Sequence, residues 1–259
     1  MKARAKHTIN SIFLSMFVAC VIILNTGCGL DEYYVLEEPI RDNYPVWLSD
    51  ETGVEYINRF FRFYTNENSD YDGSGFEVSG TNVYYKIYSS LSTCTSDYST
   101  LNTLVNSSST KATSASSLIN SYNFKMLKID GDRSSSEVTI PHTTSKRSQM
   151  VRIRLTTYLE DQTDKDLIAS VRIDDAEVGV PIRYLNEQLY FDFKRDSVNY
   201  KAPVPVSDDK DTSGSANTDG YWYITLYAFC VGHDSTFTEY YSPIVHLGTL
   251  RIDANSYDN

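Results

Sequence analysis

Hydrophobic and polar residues alternate along most of the chain, and this pattern predicts β-strands. Val151, Ile153 and Leu155 fall on one face of such a segment. Arg152 and Arg154 fall on its other face, as in an antiparallel sheet with one solvated side. Segments of this kind, rich in Tyr, Ile, Val and Phe, are 56–64, 82–88, 124–129, 137–140, 150–159, 168–173, 180–185, 188–193, 221–230 and 243–252. The pattern therefore predicts a mainly β protein with antiparallel sheets.

The period changes between residues 97 and 122, where apolar residues recur three and four positions apart. They form two groups: Leu101, Leu104 and Val105, and Ala115, Leu118, Ile119 and Tyr122. Such spacing places side chains on one face of a helix. The Ser/Thr-rich residues 107–114 between the groups are typical of a loop. We therefore expect a short helical insertion of two helices within the β domain.

The start of the chain has the composition of a signal peptide. Lys2, Arg4 and Lys6 precede an apolar run from Ile12 to Leu24. As a helix this run would span roughly 20 Å, which is too short for the roughly 30 Å hydrocarbon core of a bilayer. The length favours a cleaved signal peptide, residues 1–27, over a permanent anchor. Secretion without lipid and an uncleaved anchor are the alternatives.

The residues at the end of this run resemble a bacterial lipobox. Gly27 precedes Cys28, and Asn25 stands where the common lipobox has Leu, Val or Ile, a relaxed form typical of spirochaetal lipoproteins. The resemblance implies that the Cys28 thiol carries diacylglycerol and that the peptide bond before it is cut. This lipid would be the membrane contact of the mature protein.

Residues 28–50, which follow the lipid anchor, are neither Gly/Ser-rich nor low in complexity, unlike a flexible stalk. Tyr33, Tyr34, Val35 and Leu36 are therefore expected to dock on the next domain. A Cys-Gly-Leu start followed by a Tyr-rich, Leu-x-x-Pro stretch resembles uncharacterised treponemal lipoproteins. The resemblance implies a spirochaetal outer or surface membrane and a β-rich domain, with no established activity.

The chain is acidic, with 23 Lys and Arg against 34 Asp and Glu and a formal net charge of −11. Cleavage before Cys28 would remove basic residues and no acidic one, which makes the mature domain still more acidic. The sequence has no Lys/Arg cluster, so we expect no nucleic-acid partner. An acidic domain is repelled by an anionic leaflet, so membrane attachment should depend on the lipid.

Two regions resemble strands of fibronectin type III domains. Residues 223–232 with residues 240–243 resemble the penultimate strand, its turn and the start of the last strand, and residues 80–88 resemble the third strand. The resemblance implies an antiparallel fibronectin type III or immunoglobulin-like β-sandwich over residues 51–254, with additional strands and the helical insertion. A division into two domains near residue 132 is the alternative.

Two cysteines, Cys94 and Cys230, remain once Cys20 leaves with the signal peptide and Cys28 carries lipid. An even pair in an exported protein suggests a disulfide. Cys230 also ends a strongly apolar strand, in which a free thiol is suitable as a small buried hydrophobic group. A Cys94–Cys230 disulfide and two free thiols are therefore the alternatives.

Candidate catalytic and metal-binding residues are few. His142, His233 and His246 are far apart and lack zinc-ligand spacing, and the sequence has none of the common hydrolase, phosphate-loop, dinucleotide or zinc-protease motifs. Residues 68–73 and 209–214 resemble the first half of a calcium loop but lack the Glu at its twelfth position. We therefore predict solvated turns there, no metal site and no cofactor.

Tyrosine is frequent, at 21 residues, and adjacent aromatic residues in a strand point to opposite faces. One ring of each adjacent pair is then expected to face outward. Tyr221, Trp222 and Tyr223 are the strongest candidate for an exposed aromatic binding patch. The alternative is that tyrosine simply fills a half-solvated sheet.

Together these features predict a lipid-anchored lipoprotein of the bacterial cell envelope that is not an enzyme. Its β domain would bind a protein or glycan partner or serve a structural role, and an outer-membrane or cell-surface location is favoured over the inner membrane. The alternative is a hydrolase of envelope carbohydrate, which needs two carboxylates roughly 5 to 10 Å apart in a cleft.

Overall fold

The computed structural model divides the chain into two units, residues 1–34 and residues 35–259. The residues that it describes are 34–42, 58–67, 75–130, 138–143, 148–156, 168–183, 191, 212–213 and 221–253. Every described helix and strand belongs to the second unit. The predicted signal peptide and Cys28 lie outside the described residues, as does the predicted strand 188–193 apart from Phe191.

Most described elements are strands. They are β1 Ile40–Arg41, β2 Phe61–Tyr64, β3 Phe76–Tyr88, β4 Lys125–Met126, β5 Lys128–Ile129, β6 Ile140–Pro141, β7 Met150–Arg154, β8 Ser170–Ile173, β9 Ala176–Gly179, β10 Pro181–Ile182, β11 Thr212–Ser213, β12 Tyr221–Asp234, β13 Glu239–Tyr241 and β14 Val245–Asp253. The helices are α1 Leu91–Asn106 and α2 Ser114–Asn120, with the 3₁₀ turn Lys111–Thr113 between them. The predicted mainly β class with a helical insertion is confirmed.

Strand β12 is the centre of the larger sheet. β3 pairs antiparallel with one edge of β12, from Phe76 opposite Asp234 to Tyr88 opposite Tyr223. β13 and β14 pair antiparallel with the other edge. The outer edge of β3 is covered by β6 and β4, which are antiparallel to it, and by β11, which is parallel. Both long strands therefore have partners on both sides.

The pairing of β6 with β3 depends on a glycine. Gly80 has a φ of +146°, and a Cβ at this position would lie 2.2 Å from the carbonyl oxygen of Ile140. Only glycine allows so close an approach without displacing the neighbouring backbone. Gly80 therefore fixes where β6 meets the sheet.

The second sheet has the order β1-β2-β7-β8-β9 and is antiparallel throughout. Strands from before and after residue 132 pair in both sheets, since β2 pairs with β7 and β3 pairs with β12. Residues 35–259 accordingly form one compact unit. The structure therefore has no division into two domains near residue 132.

The two faces of β12 are covered by different layers. Ile224, Leu226 and Ala228 are turned to the second sheet, and we call this side the inner face. Tyr227 and Phe229 are turned to α1 and α2, and we call this side the helix face. Buried partners of β12 include Phe61, Phe63, Val151, Ile153, Val171 and Leu247 on the inner face and Leu101, Ala115, Leu118 and Phe124 on the helix face. The result is a β-sandwich with helices on one outer side.

Helix α1 begins at Leu91, earlier than the predicted start at residue 97. Its buried residues are Cys94 and Leu101, two helical turns apart. The sequence around Cys94 is rich in Ser and Thr, which favour caps and turns when they are not packed. Burial of Cys94 against the sheet overrides this preference and extends the helix toward β3.

Candidate functional site

The segment that would follow the lipidated Cys28 joins the sandwich. Leu36 is 2% exposed, and β1 pairs with β2 as the edge strand of the second sheet. The expected docking is confirmed for Leu36, whereas Val35 is 67% exposed and Tyr33 lies outside the described residues. Residues 36–42 are therefore part of the domain and do not serve as a free linker.

Polar contacts hold this segment on three neighbouring elements. Lys111 Nζ lies 2.8 Å from Glu38 Oε1, and Arg62 Nε lies 2.6 Å from Asp42 Oδ2. Asn66 Nδ2 donates a hydrogen bond of 3.2 Å to the backbone carbonyl of Glu38. Partly exposed ion pairs of this kind contribute only about 0–1 kcal/mol each. Strand pairing and the burial of Leu36 supply the rest of the attachment.

The chain beyond β2 leads into a buried carboxylate, Glu67. Its side chain is 0% exposed, its Oε2 lies 2.7 Å from His142 Nδ1, and its Oε1 accepts a hydrogen bond of 3.2 Å from the Thr81 hydroxyl. Burial raises the pKa of Glu67, and the contacts with His142 and Thr81 oppose the rise only in part. Cys230 lies opposite Thr81 on the neighbouring strand. Burial raises the pKa of the Cys230 thiol, and the charge of the nearby Glu67 raises it further.

This grouping of Cys230, His142 and Glu67 does not support nucleophilic catalysis. Thiolates attack substrates, whereas thiols do so poorly, and a buried cysteine with a raised pKa remains a thiol. Cys230 is buried and lies in the middle of the sheet, so a substrate has no access to it. The cluster is therefore a buried polar contact between β2, β3 and β6.

A second polar network lies under α1 on the helix face. Cys94 Sγ lies 3.0 Å from Thr225 Oγ1, which lies 2.7 Å from Thr249 Oγ1, and Thr249 lies 3.4 Å from His246 Nε2. Burial raises the pKa of the Cys94 thiol. Burial, aided by the charge of Arg41, lowers the pKa of His246 to about 3, so this imidazole is neutral at physiological pH.

Asp97 of α1 anchors the same helix to β3. Its Oδ2 accepts hydrogen bonds from Lys86 Nζ at 2.8 Å and from the Tyr88 hydroxyl at 2.9 Å. Burial, followed by the charge of Asp97, raises the pKa of Tyr88. The phenol therefore stays protonated and acts as a donor to Asp97.

Two polar atoms in this region have no hydrogen-bond partner among the described residues. They are the Tyr227 hydroxyl and His246 Nδ1. The His246 ring lies against Tyr227 and Tyr98, with centroid distances of 4.9 Å and 4.7 Å. A buried donor or acceptor left without a partner costs about 1–3 kcal/mol. The helix face thus contains both satisfied and unsatisfied polar groups.

Of the two alternatives for Cys94 and Cys230, the structure has the free thiols and not the disulfide, since both cysteines are free and buried. Cys94 contacts Thr225 on the helix face, whereas Cys230 lies beside Glu67 on the inner side of β12. The strand from Thr225 to Cys230 spans roughly 17 Å. A disulfide needs Cα atoms roughly 4.4–6.8 Å apart, so the sheet itself separates the two thiols.

The expected aromatic patch is also corrected. Trp222 is buried in the inner-face cluster, and Tyr223 is buried in the helix-face cluster. The side chain of Tyr221 lies outside the described residues. Adjacent strand residues do point to opposite faces, but β12 is covered on both of them. Trp222 and Tyr223 therefore stabilise the core and are not part of an exposed binding surface.

The remaining sequence candidates have separate locations. His142 and His246 belong to the two buried networks, and His233 Nε2 lies 3.8 Å from Glu77 Oε2 near the start of β3. Of the two calcium-like loops, only the backbone of Thr212–Ser213 is among the described residues. Within the described part of the chain, no group of His, Cys, Asp and Glu has the arrangement of a metal site.

A shallow groove runs along the solvent side of α1. Its described lining consists of Leu91, Ser92, Thr95, Ser96, Ser99 and Thr100. The hydroxyls of Thr95 and Thr100 donate to backbone carbonyls one turn earlier in the helix. This lining carries no carboxylate or imidazole, so it offers no acid or base to a substrate.

Comparison of the chain with models of protein families, with curated proteins and with solved structures gives no match. Among the described helices, none is both long and apolar enough to span a bilayer. The functional interpretation therefore rests on the residues and contacts of the chain itself.

Proposed function

We propose that the protein is a lipid-anchored lipoprotein of the bacterial cell envelope, whose β-sandwich binds a protein or glycan partner without catalysis. The observation that carries the proposal is that the segment following Cys28 is built into the sandwich as β1. The chain from Cys28 to Leu36 spans at most roughly 27 Å when fully extended. A lipid on Cys28 would therefore hold the domain close to the bilayer.

The contacts of residues 38–42 would let the domain withstand a pull on its N-terminus. A force on the lipid is resisted by the β1–β2 hydrogen bonds and by the Glu38–Lys111 and Asp42–Arg62 ion pairs. On the resemblance of residues 25–36 to treponemal lipoproteins, we extend the proposal to a spirochaetal outer membrane or cell surface.

The chemistry of the described residues favours binding over catalysis. Glu67, Cys94 and Cys230 are buried, and the groove on α1 presents hydroxyl groups. The alternative of an envelope carbohydrate hydrolase needs an accessible pair of carboxylates. The described lining of this groove gives that alternative no support.

Metabolic labelling with an alkynyl palmitate tests the lipid anchor in cells that express the full chain. We expect label and membrane association in the wild type and loss of the label in Cys28→Ala. Cys20→Ala, in the apolar run of the signal peptide, is the matched control and should keep the label. Label that survives in Cys28→Ala would contradict the proposal.

Protease treatment of the same intact cells tests the location. Cleavage of the domain while periplasmic markers survive would support the cell surface and direct the search to partners outside the bacterium. Protection of the domain would contradict a surface location and direct the search to partners inside the envelope.

A further inference from the structure

The hairpin between β12 and β13 ends in an exposed aromatic ring. Phe237 is 79% exposed, more than any other large hydrophobic residue of the described chain. Its φ of 61° lies in the left-handed region, which bulky L-residues rarely adopt. The ring stacks on His233 with a centroid distance of 5.2 Å. The hairpin therefore directs an apolar ring into solvent.

Asp234 holds this tip in a defined conformation. Its Oδ1 accepts hydrogen bonds from the backbone amides of Thr236 and Thr238, at 2.8 Å and 2.9 Å, and from the Thr236 hydroxyl at 2.7 Å. The Phe237 amide donates to the Asp234 carbonyl at 3.0 Å. Backbone strain that is maintained by several hydrogen bonds is common where a side chain is presented for function.

The N-terminal segment runs toward the same end of the sandwich. Because β1 is antiparallel to β2, the chain followed backward from Arg41 to Leu36 runs toward Glu67. Glu67 bonds Thr81, which lies opposite Cys230, and β12 continues from there to the hairpin. The attachment point of the N-terminal segment and the Phe237 hairpin thus lie at one end of the fold.

We infer that Phe237 inserts into the interface of the bilayer that holds the lipidated Cys28, an inference that rests on the proposed function. The chain from Cys28 to Val35 spans at most roughly 24 Å, so a lipid on Cys28 would lie within this distance of Val35. Val35, also strongly exposed, lies in the same part of the chain. A lipid chain and an inserted ring together form two attachment points, which fix the orientation of the sandwich on the membrane.

The charges around the tip determine which bilayer it fits. Asp234 closes the turn that carries Phe237, and Glu77 and Glu239 are the strand partners of His233, on which the Phe237 ring stacks. The Glu77 side chain is 77% exposed. An acidic surface is repelled by anionic lipids. The surface therefore fits uncharged headgroups such as phosphatidylcholine better than anionic ones.

Tryptophan fluorescence of the full lipidated chain in phosphatidylcholine vesicles tests the inference. The fluorescence that Phe237→Trp adds to that of the wild-type chain should fall about twofold in vesicles with brominated acyl chains, because bromine quenches a tryptophan that enters the bilayer. Thr93→Trp is the matched control because Thr93 is exposed in α1, beyond Tyr88 and at the opposite end of β3 from the hairpin. Its fluorescence should not change. Adding anionic lipid should weaken the quenching of Phe237→Trp.

The Cys28→Ala chain without the signal peptide, residues 28–259, provides a second measurement. Without the lipid, the chain should still partition weakly into phosphatidylcholine vesicles. Its partition coefficient should be about tenfold lower in Cys28→Ala/Phe237→Ser, as expected for loss of one buried aromatic side chain. Equal quenching of Phe237→Trp and Thr93→Trp on vesicle-bound protein would overturn the inference and leave the lipid anchor intact, and Phe237 would then face a protein partner. Failure of the wild-type chain to float with vesicles would overturn both.

Discussion

The two faces of β12 bury side chains of different chemistry. On the inner face, Ile224, Leu226 and Ala228 pack in an apolar cluster with side chains of the second sheet. On the helix face, Thr225 connects a thiol of α1 to a hydroxyl of β14. Apolar side chains are stabilised by burial alone, whereas buried hydroxyl and thiol groups are stable only when their hydrogen bonds are made. The two faces therefore respond differently to substitution.

The largest effect is expected on the inner face. Leu226→Ala should lower the free energy of unfolding by about 2–5 kcal/mol, because it removes buried methyl groups and leaves a cavity. Chemical denaturation measures the change. Leu104→Ala, at a half-buried position on α1, is the control and should cost less. A cost for Leu226→Ala below that of Leu104→Ala would contradict the assignment of Leu226 to the main core.

A smaller effect is expected on the helix face. Thr225→Val keeps the shape of the side chain and removes the hydroxyl between Cys94 and Thr249, so it should cost about 1–3 kcal/mol. Thr225→Val/Thr249→Val should cost less than the sum of the two single variants, because both members of the pair are then apolar. Thr95→Val, at an exposed position on α1, is the control. Additive costs would show that the hydroxyls do not interact.

The smallest effect is expected at Glu67, the buried carboxylate that contacts His142 and Thr81. Burial raises the pKa of Glu67 above its ordinary value of 4.5, so the folded chain binds this proton more tightly than the unfolded chain. The resulting stability is complete below pH 4.5 and is lost as the pH rises through the raised pKa. Glu67→Gln should remove this fall, which is at most about 1.4 kcal/mol per pH unit.

Unfolding curves of Glu67→Gln and the wild type across this pH range provide the measurement. Glu77→Gln is the matched control, because it makes the same substitution at a mostly exposed side chain. An identical slope in Glu67→Gln and the wild type would show that Glu67 titrates alike in the folded and unfolded chains.

The sequence was sufficient to predict the strands in which apolar and polar residues alternate regularly. It was not sufficient to predict which layers cover the two faces of each strand. Alternation in β12 shows that Trp222 and Tyr223 lie on opposite faces. It does not show that both faces are covered, because the layers on them come from distant parts of the chain. For this reason the sequence left open whether Trp222 and Tyr223 are exposed and whether Cys94 and Cys230 pair, and the structure shows two buried rings and two free thiols.

Glu67 is the residue of the inner face that sequence reasoning missed. Phe61, Phe63, Thr65 and Glu67 alternate with more exposed residues, so the two-residue period continues past the end of β2. Glu67 therefore falls on the buried face although it is charged. The two-residue alternation past β2 was the signal that could have indicated burial of Glu67. The partners of Glu67, Thr81 and His142, could be identified only from the fold.

The position of β12 near the end of the chain has a consequence for folding. Cys94 and Thr225, which meet under α1, are 131 residues apart in sequence. Helix α1 has no side-chain cap and no favourable charge in its first or last turn, so it depends on the sheet for stability. Non-local pairing of this kind slows folding. For a protein exported as proposed, β3 and α1 lack their contacts with β12 until residues 221–234 have been synthesised, so the sandwich cannot be completed before then.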